Sequence, residues 1–216
     1  MIISYQGVQS FKVQFGDTVL AFDPVSKKSK FKVSNFGADI ALISLNHPDM
    51  NGTSQVNRGE KQAFIINGPG EYEIQGVFIK GLPSSSNYPS NFSGQEEGAK
   101  INTIYTVNFE NMNLCFLGAL GSAKIPSETK AGIDGVDILF VPIGGPSTGI
   151  LSPAEAYKFA VSLEPSIIVP MNFDGTSLKS FLKEGGSEGL KPIEKLTVKK
   201  KDLEGKGGEI ILLQEQ

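Results

Sequence analysis

The residues best placed to do chemistry lie in one stretch, running from Ala38 and Asp39 through Ile40, Ala41, Leu42 and Ile43 to Ser44, Leu45, Asn46, His47, Pro48, Asp49, Met50, Asn51 and Gly52. Its apolar run reads as a buried strand. That strand leads directly into a loop carrying the only histidine of the chain, an aspartate two residues later and then a glycine. A strand end that feeds a polar loop is the usual place for an active site in an α/β protein. His47 and Asp49 could be a base and its orienting carboxylate, or two metal ligands. A loop histidine simply packed by Pro48 is the third reading.

Composition limits the choice. One histidine and one cysteine among 216 residues exclude a three-histidine zinc site, a four-cysteine site and a disulfide within the chain. A metal held with normal strength would rest mainly on oxygen, and Asp49 with Asn172, Asp174 or Asp23 is a candidate Mg²⁺ or Ca²⁺ site. A net charge of -3 and a single arginine, Arg58, argue against nucleic acid and anionic membranes as partners. No stretch approaches the ~18 consecutive apolar residues of a membrane span. The first seven residues carry no basic region or secretory apolar run, so a cytoplasmic protein is expected and the sequons at Asn51 and Asn91 go unused. With 39% hydrophobic and 20% charged residues, a packed core is expected, residues 1–216 forming one domain.

These residues need a frame. Phe11 to Phe15 alternates apolar and polar, Gly16-Asp17 turns the chain, and Thr18 to Phe22 returns as the second strand of a hairpin. Ile40 to Ile43 reads as a strand covered on both faces. Further strands are expected over Ala63 to Ile66, Tyr72 to Ile79, Thr103 to Phe109, Leu114 to Leu117, Val136 to Val141 and Ser166 to Val169. Ser152-Pro153-Ala154-Glu155 is a capping box with proline at the first helical position. The helix it opens carries an apolar stripe of Ala156, Tyr157, Ala160 and Val161 and stops before Pro165. Thr176 to Glu184 reads as a second helix, ended by Gly185-Gly186. Ser34 to Gly37 and the long Pro83 to Gly98 stretch read as loops, the second as a lid or a surface excursion. Alternation of strand and helix in the last third indicates a layered α/β fold.

Other constellations are weaker. Glu71 and Glu73 share one side of a strand and could pair as acid and base or serve the scaffold. Gly144 to Gly149, before a capped helix, could bind an anion or be a plain connection. Lys199-Lys200-Lys201 reads as a solvated strand end, with phosphate binding as the alternative. Cys115 sits in an apolar strand and reads as an inert, buried thiol.

Ser44 to Met50 resembles the metal-binding segment of the metallo-β-lactamase superfamily, Ser/Thr-His-x-His-x-Asp-His after a buried strand. The spacing is intact, but Leu45 and Met50 stand where the first and last histidines would be, leaving His47 and Asp49. Asn67 to Glu73, followed by Gly76 to Ile79, is similar to a motif of the branch related to the L-ascorbate-6-phosphate lactonases. That branch has histidine and aspartate where this chain has Ser86 and Asn87. Phe116 to Gly121 resembles its Leu-Gly-Asp-Leu-Gly segment, with Ala119 in place of the bridging aspartate. Ile168 to Phe173 resembles its Ile-Pro-Met-His-Tyr segment, with Asn172 in place of the last ligand. Tyr5 to Phe11 matches a segment that usually carries Gly-His-Ser/Ala, and Val8 replaces that histidine. Phe22-Asp23-Pro24 and Val136 to Phe140 keep the scaffold.

The resemblance covers nearly the whole chain and implies a four-layer αββα sandwich. Relatives use zinc or manganese, two metals activating a water for hydrolysis. The lost-ligand positions Val8, Leu45, Met50, Ser86, Ala119 and Asn172 imply a degenerate member that holds metal weakly at most, because leucine and alanine offer no donor and methionine's thioether is too soft. Two functions follow as expectations. One is a non-catalytic module that binds an unknown small molecule or protein, as a monomer or in a homo- or hetero-oligomer. The other is a weak or reassigned hydrolase of lactone or phosphoester substrates, working through His47 and Asp49 or through Ser86 as a nucleophile with His47 as base.

Overall fold

The protein, represented by a computed structural model, is described over residues 1–33, 35–89, 100–145 and 148–216. In chain order the first strands are β1 (Ile2–Tyr5), β2 (Phe11–Phe15), β3 (Thr18–Phe22), β4 (Ile40–Leu42) and β5 (Phe64–Ile66). Then come β6 (Gly70–Ile74), β7 (Val77–Ser86), β8 (Lys100–Phe109), β9 (Met112–Phe116), the short helix α1 (Ser127–Ala131) and β10 (Ile138–Pro142). Helix α2 (Pro153–Val161), β11 (Ile167–Met171), α3 (Gly175–Glu184), β12 (Leu196–Thr197) and β13 (Glu209–Ile210) complete the order. They build two mixed sheets, a six-stranded one in the order β12-β1-β2-β3-β4-β5 and a seven-stranded one in the order β13-β11-β10-β9-β8-β7-β6.

The parity of side chains along each strand explains why the sheets stack. On β3 and β4, Leu20, Phe22, Ile40 and Leu42 point to the inter-sheet core, while the smaller Val19, Ala21 and Ala41 point outward. On β9 and β10, Leu114, Phe116, Ile138 and Phe140 face that core, and Cys115, Leu139 and Val141 face the helices. Phe11, Phe22, Phe116 and Phe140 interlock at its centre, with ring centroids 4.7 Å apart for Phe11–Phe140 and 4.9 Å for Phe22–Phe116. Each such buried ring contributes roughly 1.5–3 kcal/mol. The helices cover the seven-stranded sheet. Outside the six-stranded sheet the cover is thin, a small cluster of Val19, Ala21, Ala38, Ala41, Val56 and Ala63 under the 3₁₀ turn Thr53–Val56. This is the α/β sandwich expected.

Several local expectations need correction. Tyr72 to Ile79 is not one strand but the β6–β7 hairpin, turned at Gln75 (φ 54°) and Gly76 (φ 75°). Pro83 to Ser86, read as loop, continues β7 against β8 as far as Ser86↔Lys100; residues 90–98 of that stretch lie outside the described residues. Ser34, in the Ser34 to Gly37 loop, and Pro146 and Ser147, in the candidate anion loop Gly144 to Gly149, also lie outside them. On α2 the buried residues are Ala156, Phe159 and Ala160, whereas Val161 is exposed. The lysine run ends no strand. Lys200 opens a 3₁₀ turn and its ammonium donates to both oxygens of Asp137, at 2.7 and 2.8 Å. Glu71 is exposed and paired with Lys80 across the β6–β7 ladder, a scaffold arrangement. Cys115 is buried, and burial pushes its thiol far above the ordinary range.

Candidate functional site

The chain leaving β4 turns sharply. His47 carbonyl accepts from the N–H groups of Met50 (2.8 Å) and Asn51 (2.9 Å), and Gly52 N–H donates to Pro24 carbonyl (2.7 Å). Gly52 is required because a Cβ there would sit 2.4 Å from the backbone of Val25. The turn carries His47 and Asp49 inward, and both are 1% exposed.

His47 is held neutral, with no second proton. Asp49 N–H donates to its Nδ1 (3.2 Å), which fixes the neutral tautomer with hydrogen on Nε2. Nδ1 also lies 3.4 Å from Asp49 Oδ2, where two acceptors face each other with no hydrogen between them. Burial holds the imidazole below its ordinary pKa, outweighing the opposing Asp49 charge. Nε2 is enclosed and has no hydrogen-bond partner among the described residues. Both oxygens of Asp49 are engaged: Ser29 Oγ donates to Oδ1 (2.5 Å) and the Tyr88 hydroxyl to Oδ2 (3.0 Å). Tyr88 stands edge-on to His47, with centroids 5.0 Å apart, and burial followed by the Asp49 charge raises its phenol far above the usual value.

Around this pair the positions split into two groups. Leu45, Met50 and Ala119 close together with Tyr88 and Ile150 in one buried apolar cluster. Leu45 and Met50 arrive from the six-stranded sheet, while Ala119 and Tyr88 follow β9 and β7 of the other. Gly118 (φ 61°) lets Ala119 approach, since a Cβ on it would meet Ser44 Cβ at 2.4 Å. The second group is polar. Asn172 Nδ2 donates to Gln9 Oε1 (3.0 Å), Gln9 Nε2 donates to Asp23 Oδ2 (2.6 Å), and Ser44 donates its N–H to Oδ1 (2.6 Å) and its hydroxyl to Oδ2 (2.5 Å). Asp23 is wholly buried without a cation among the described residues, and that burial pushes its carboxyl up to about 7. Ser86 Oγ accepts from Tyr88 N–H (3.1 Å) and has no hydrogen bond to His47. Asp174 caps α3, its Oδ1 accepting from the N–H groups of Thr176 (2.9 Å) and Ser177 (2.7 Å).

Thus His47 and Asp49 are together. Asp23 and Asn172 belong to a separate network, and Asp174 is a helix cap. Among the described residues no three histidine, cysteine or carboxylate groups gather as a metal site requires. An enclosed imidazole presenting Nε2–H, a carboxylate already holding two hydroxyls and three apolar side chains do not fit a dinuclear hydrolytic centre. Gln9, Ser29 and Tyr88 were not expected. Tyr88 had no periodicity to mark it, whereas Gln9 could have been sought as the partner that a buried Asp23 demands.

The backbone keeps an unusual posture here. Val8 (φ 54°), Asp23 (φ 40°) and Asn172 (φ 52°) are left-handed, and a β-branched residue is the least suited to it. Val8 is pinned because its carbonyl accepts from Tyr5 Oη (2.8 Å) and Asn172 N–H (2.5 Å). Val8→Gly is expected to stabilise the protein by about 1 kcal/mol, the strain relieved exceeding the little packing lost. Thermal unfolding of the two proteins measures it; a lower midpoint in the variant refutes strain at this position.

Two stacked mixed sheets, with the His47–Asp49 turn following β4 of one of them, make up an α/β sandwich. Residues 2–172 match the family description "beta-lactamase superfamily domain", and the chain belongs to the metallo-β-lactamase superfamily. A Thermotoga maritima protein assigned as a zinc-dependent hydrolase of that superfamily superposes with a TM-score of 0.75 at 23% identity, covering 100% of this chain and 99% of that one. A metallo hydrolase from the archaeon Ignicoccus hospitalis gives 0.63 at 17% identity, covering 92% and 99%. The isothiocyanate hydrolase from Delia radicum gut bacteria gives 0.60 at 13%, covering 91% and 99%. At these identities the likeness is one of fold. No curated protein matches the sequence. Among the described residues no helix is long and apolar enough to cross a membrane.

Proposed function

We propose that the chain is a degenerate superfamily member, nearest the L-ascorbate-6-phosphate lactonase-like branch, acting as a non-catalytic binding or assembly module. One observation carries the reading: the ligand positions of the family frame at Leu45, Met50 and Ala119 are joined with Tyr88 and Ile150 into a buried apolar cluster. Hydrocarbon there removes the cost of unpaired polar groups in an emptied pocket. Leucine and alanine also offer no donor atom to a water-activating centre.

A second reading, a weak or reassigned hydrolase, draws on the unpartnered Nε2 of His47. Metal analysis separates them. Protein purified with zinc and manganese supplied is expected to carry far less than one metal per chain by mass spectrometry. Near-stoichiometric metal that disappears in His47→Ala would overturn the module reading, as would lactone or phosphoester hydrolysis that His47→Ala abolishes.

A further inference from the structure

Beside the apolar cluster a cleft of about 510 Å³ opens, walled by Tyr5, Val8, Phe173, Leu178 and Leu213, edged by Phe31 and reaching Asn172. That volume is ordinary for a small-molecule site, and so are mostly apolar walls with a few polar groups. Tyr5 and Phe173 stack at 6.2 Å, forming one aromatic wall. Two of the lining residues, Val8 and Asn172, hold left-handed backbones, and such strain gathers at ligand-contacting positions.

The charges at the rim decide what could enter. Three charged side chains line the cleft: Lys32, Asp174 and Glu215. The Lys32 ammonium is already engaged, donating to Gln216 carbonyl at 3.0 Å. Asp174 uses only Oδ1 in capping α3, so Oδ2 has no hydrogen bond among the described residues. Glu215 joins none of the side-chain hydrogen bonds or ion pairs among those residues. Its carboxylate lies over Gly7, where a Cβ would fall 2.8 Å from Oε1. The aromatic wall feels that charge, since Glu215 adds to burial in raising the Tyr5 phenol. An anion would meet two carboxylates here, and a neutral ligand would desolvate them without replacing the lost water.

We propose that this cleft binds a small organic amine, its apolar body against Tyr5, Phe173 and Leu178 and its ammonium between Glu215 and Asp174. The assignment rests on the binding-module reading and gives it a ligand class. Gly7 then has a role, because it leaves the space in which the Glu215 carboxylate sits at the rim.

The test is an NMR titration of the full chain at pH 7 and low salt with 2-phenylethylamine, 2-phenylethanol and phenylacetate. The amine is expected to shift amides of the cleft and to bind at least about fivefold more tightly than the alcohol, with phenylacetate weaker still. Glu215→Gln and Asp174→Asn should each weaken the amine toward the alcohol, and both should fold, since Glu215 is exposed and asparagine also caps a helix. The proposal is overturned if the amine does not bind, if alcohol or carboxylate binds as well, if the shifts map outside the cleft, or if the double variant binds the amine unchanged. Metal is measured on the same sample. A metal-free protein that ignores the amine sinks the ligand class alone; stoichiometric metal at His47 sinks the module reading whatever the amine does.

Discussion

Ala119→Asp is expected to destabilise the protein by at least about 4 kcal/mol, a large share of the roughly 5–15 kcal/mol typical of a domain. The side chain at 119 is fully buried among Leu45, Met50, Tyr88 and Ile150, none of which can donate a hydrogen bond to a carboxylate except Tyr88. The Tyr88 hydroxyl is already committed to Asp49, whose negative charge would oppose a second one nearby. Urea denaturation at pH 7 measures the loss. A loss under about 1 kcal/mol would mean that the pocket is wet and not closed by apolar side chains. Combining Ala119→Asp with Leu45→His and Met50→His should lower metal-free stability further, but zinc should now restore it in a concentration-dependent way, as a ligand specific for the folded state does.

Asp23→Asn should abolish a pH dependence that the parent protein shows. Burial raises the Asp23 carboxyl to about 7 from its ordinary 3.8, so the folded protein binds a proton that the unfolded chain has released between those limits. Stability from this group is therefore complete below about pH 4 and is lost as pH rises toward 7, on the order of 4 kcal/mol in all. His47 acts with the opposite sign: burial lowers its folded pKa, so it costs stability as pH falls below about 6.5. Comparing parent and variant at each pH cancels that contribution. The parent should lose stability relative to Asp23→Asn between pH 4.5 and 8 in thermal melts. The amides of Gln9 and Asn172 can rotate to match the new donor. Parallel pH profiles for the two proteins would show that Asp23 is ionised in the fold.

What could be read from the sequence depended on how local the cause was. The β2–β3 hairpin is written in alternation around Gly16-Asp17 and was legible. The β6–β7 turn was hidden because the first of its two left-handed positions is Gln75, where asparagine, aspartate or glycine is usual; only the second, Gly76, carries the ordinary signal. The end of β7 was hidden by Pro83 and three serines, residues that argue against a strand. They are tolerated because β6 stops pairing at Gly81, leaving the rest of β7 an edge where a missing N–H breaks no ladder. At the site, the isolated His47–Asp49 spacing was visible and so were the positions around it. The partners of Asp49 were not, because Ser29 and Tyr88 reach it from 20 and 39 residues away along the chain. Contacts of that range leave no periodic trace.

The apolar cluster also has a thermal character. It fastens the loops of one sheet to those of the other, a task that coordination bonds would perform in a metal-bearing sandwich. Coordination fails in acid or in chelator, when ligands protonate or the ion is withdrawn. A hydrocarbon seam is indifferent to both and weakens on cooling, as apolar hydration becomes less unfavourable. The rim of this protein should therefore be firmest in warmth and loosest in the cold.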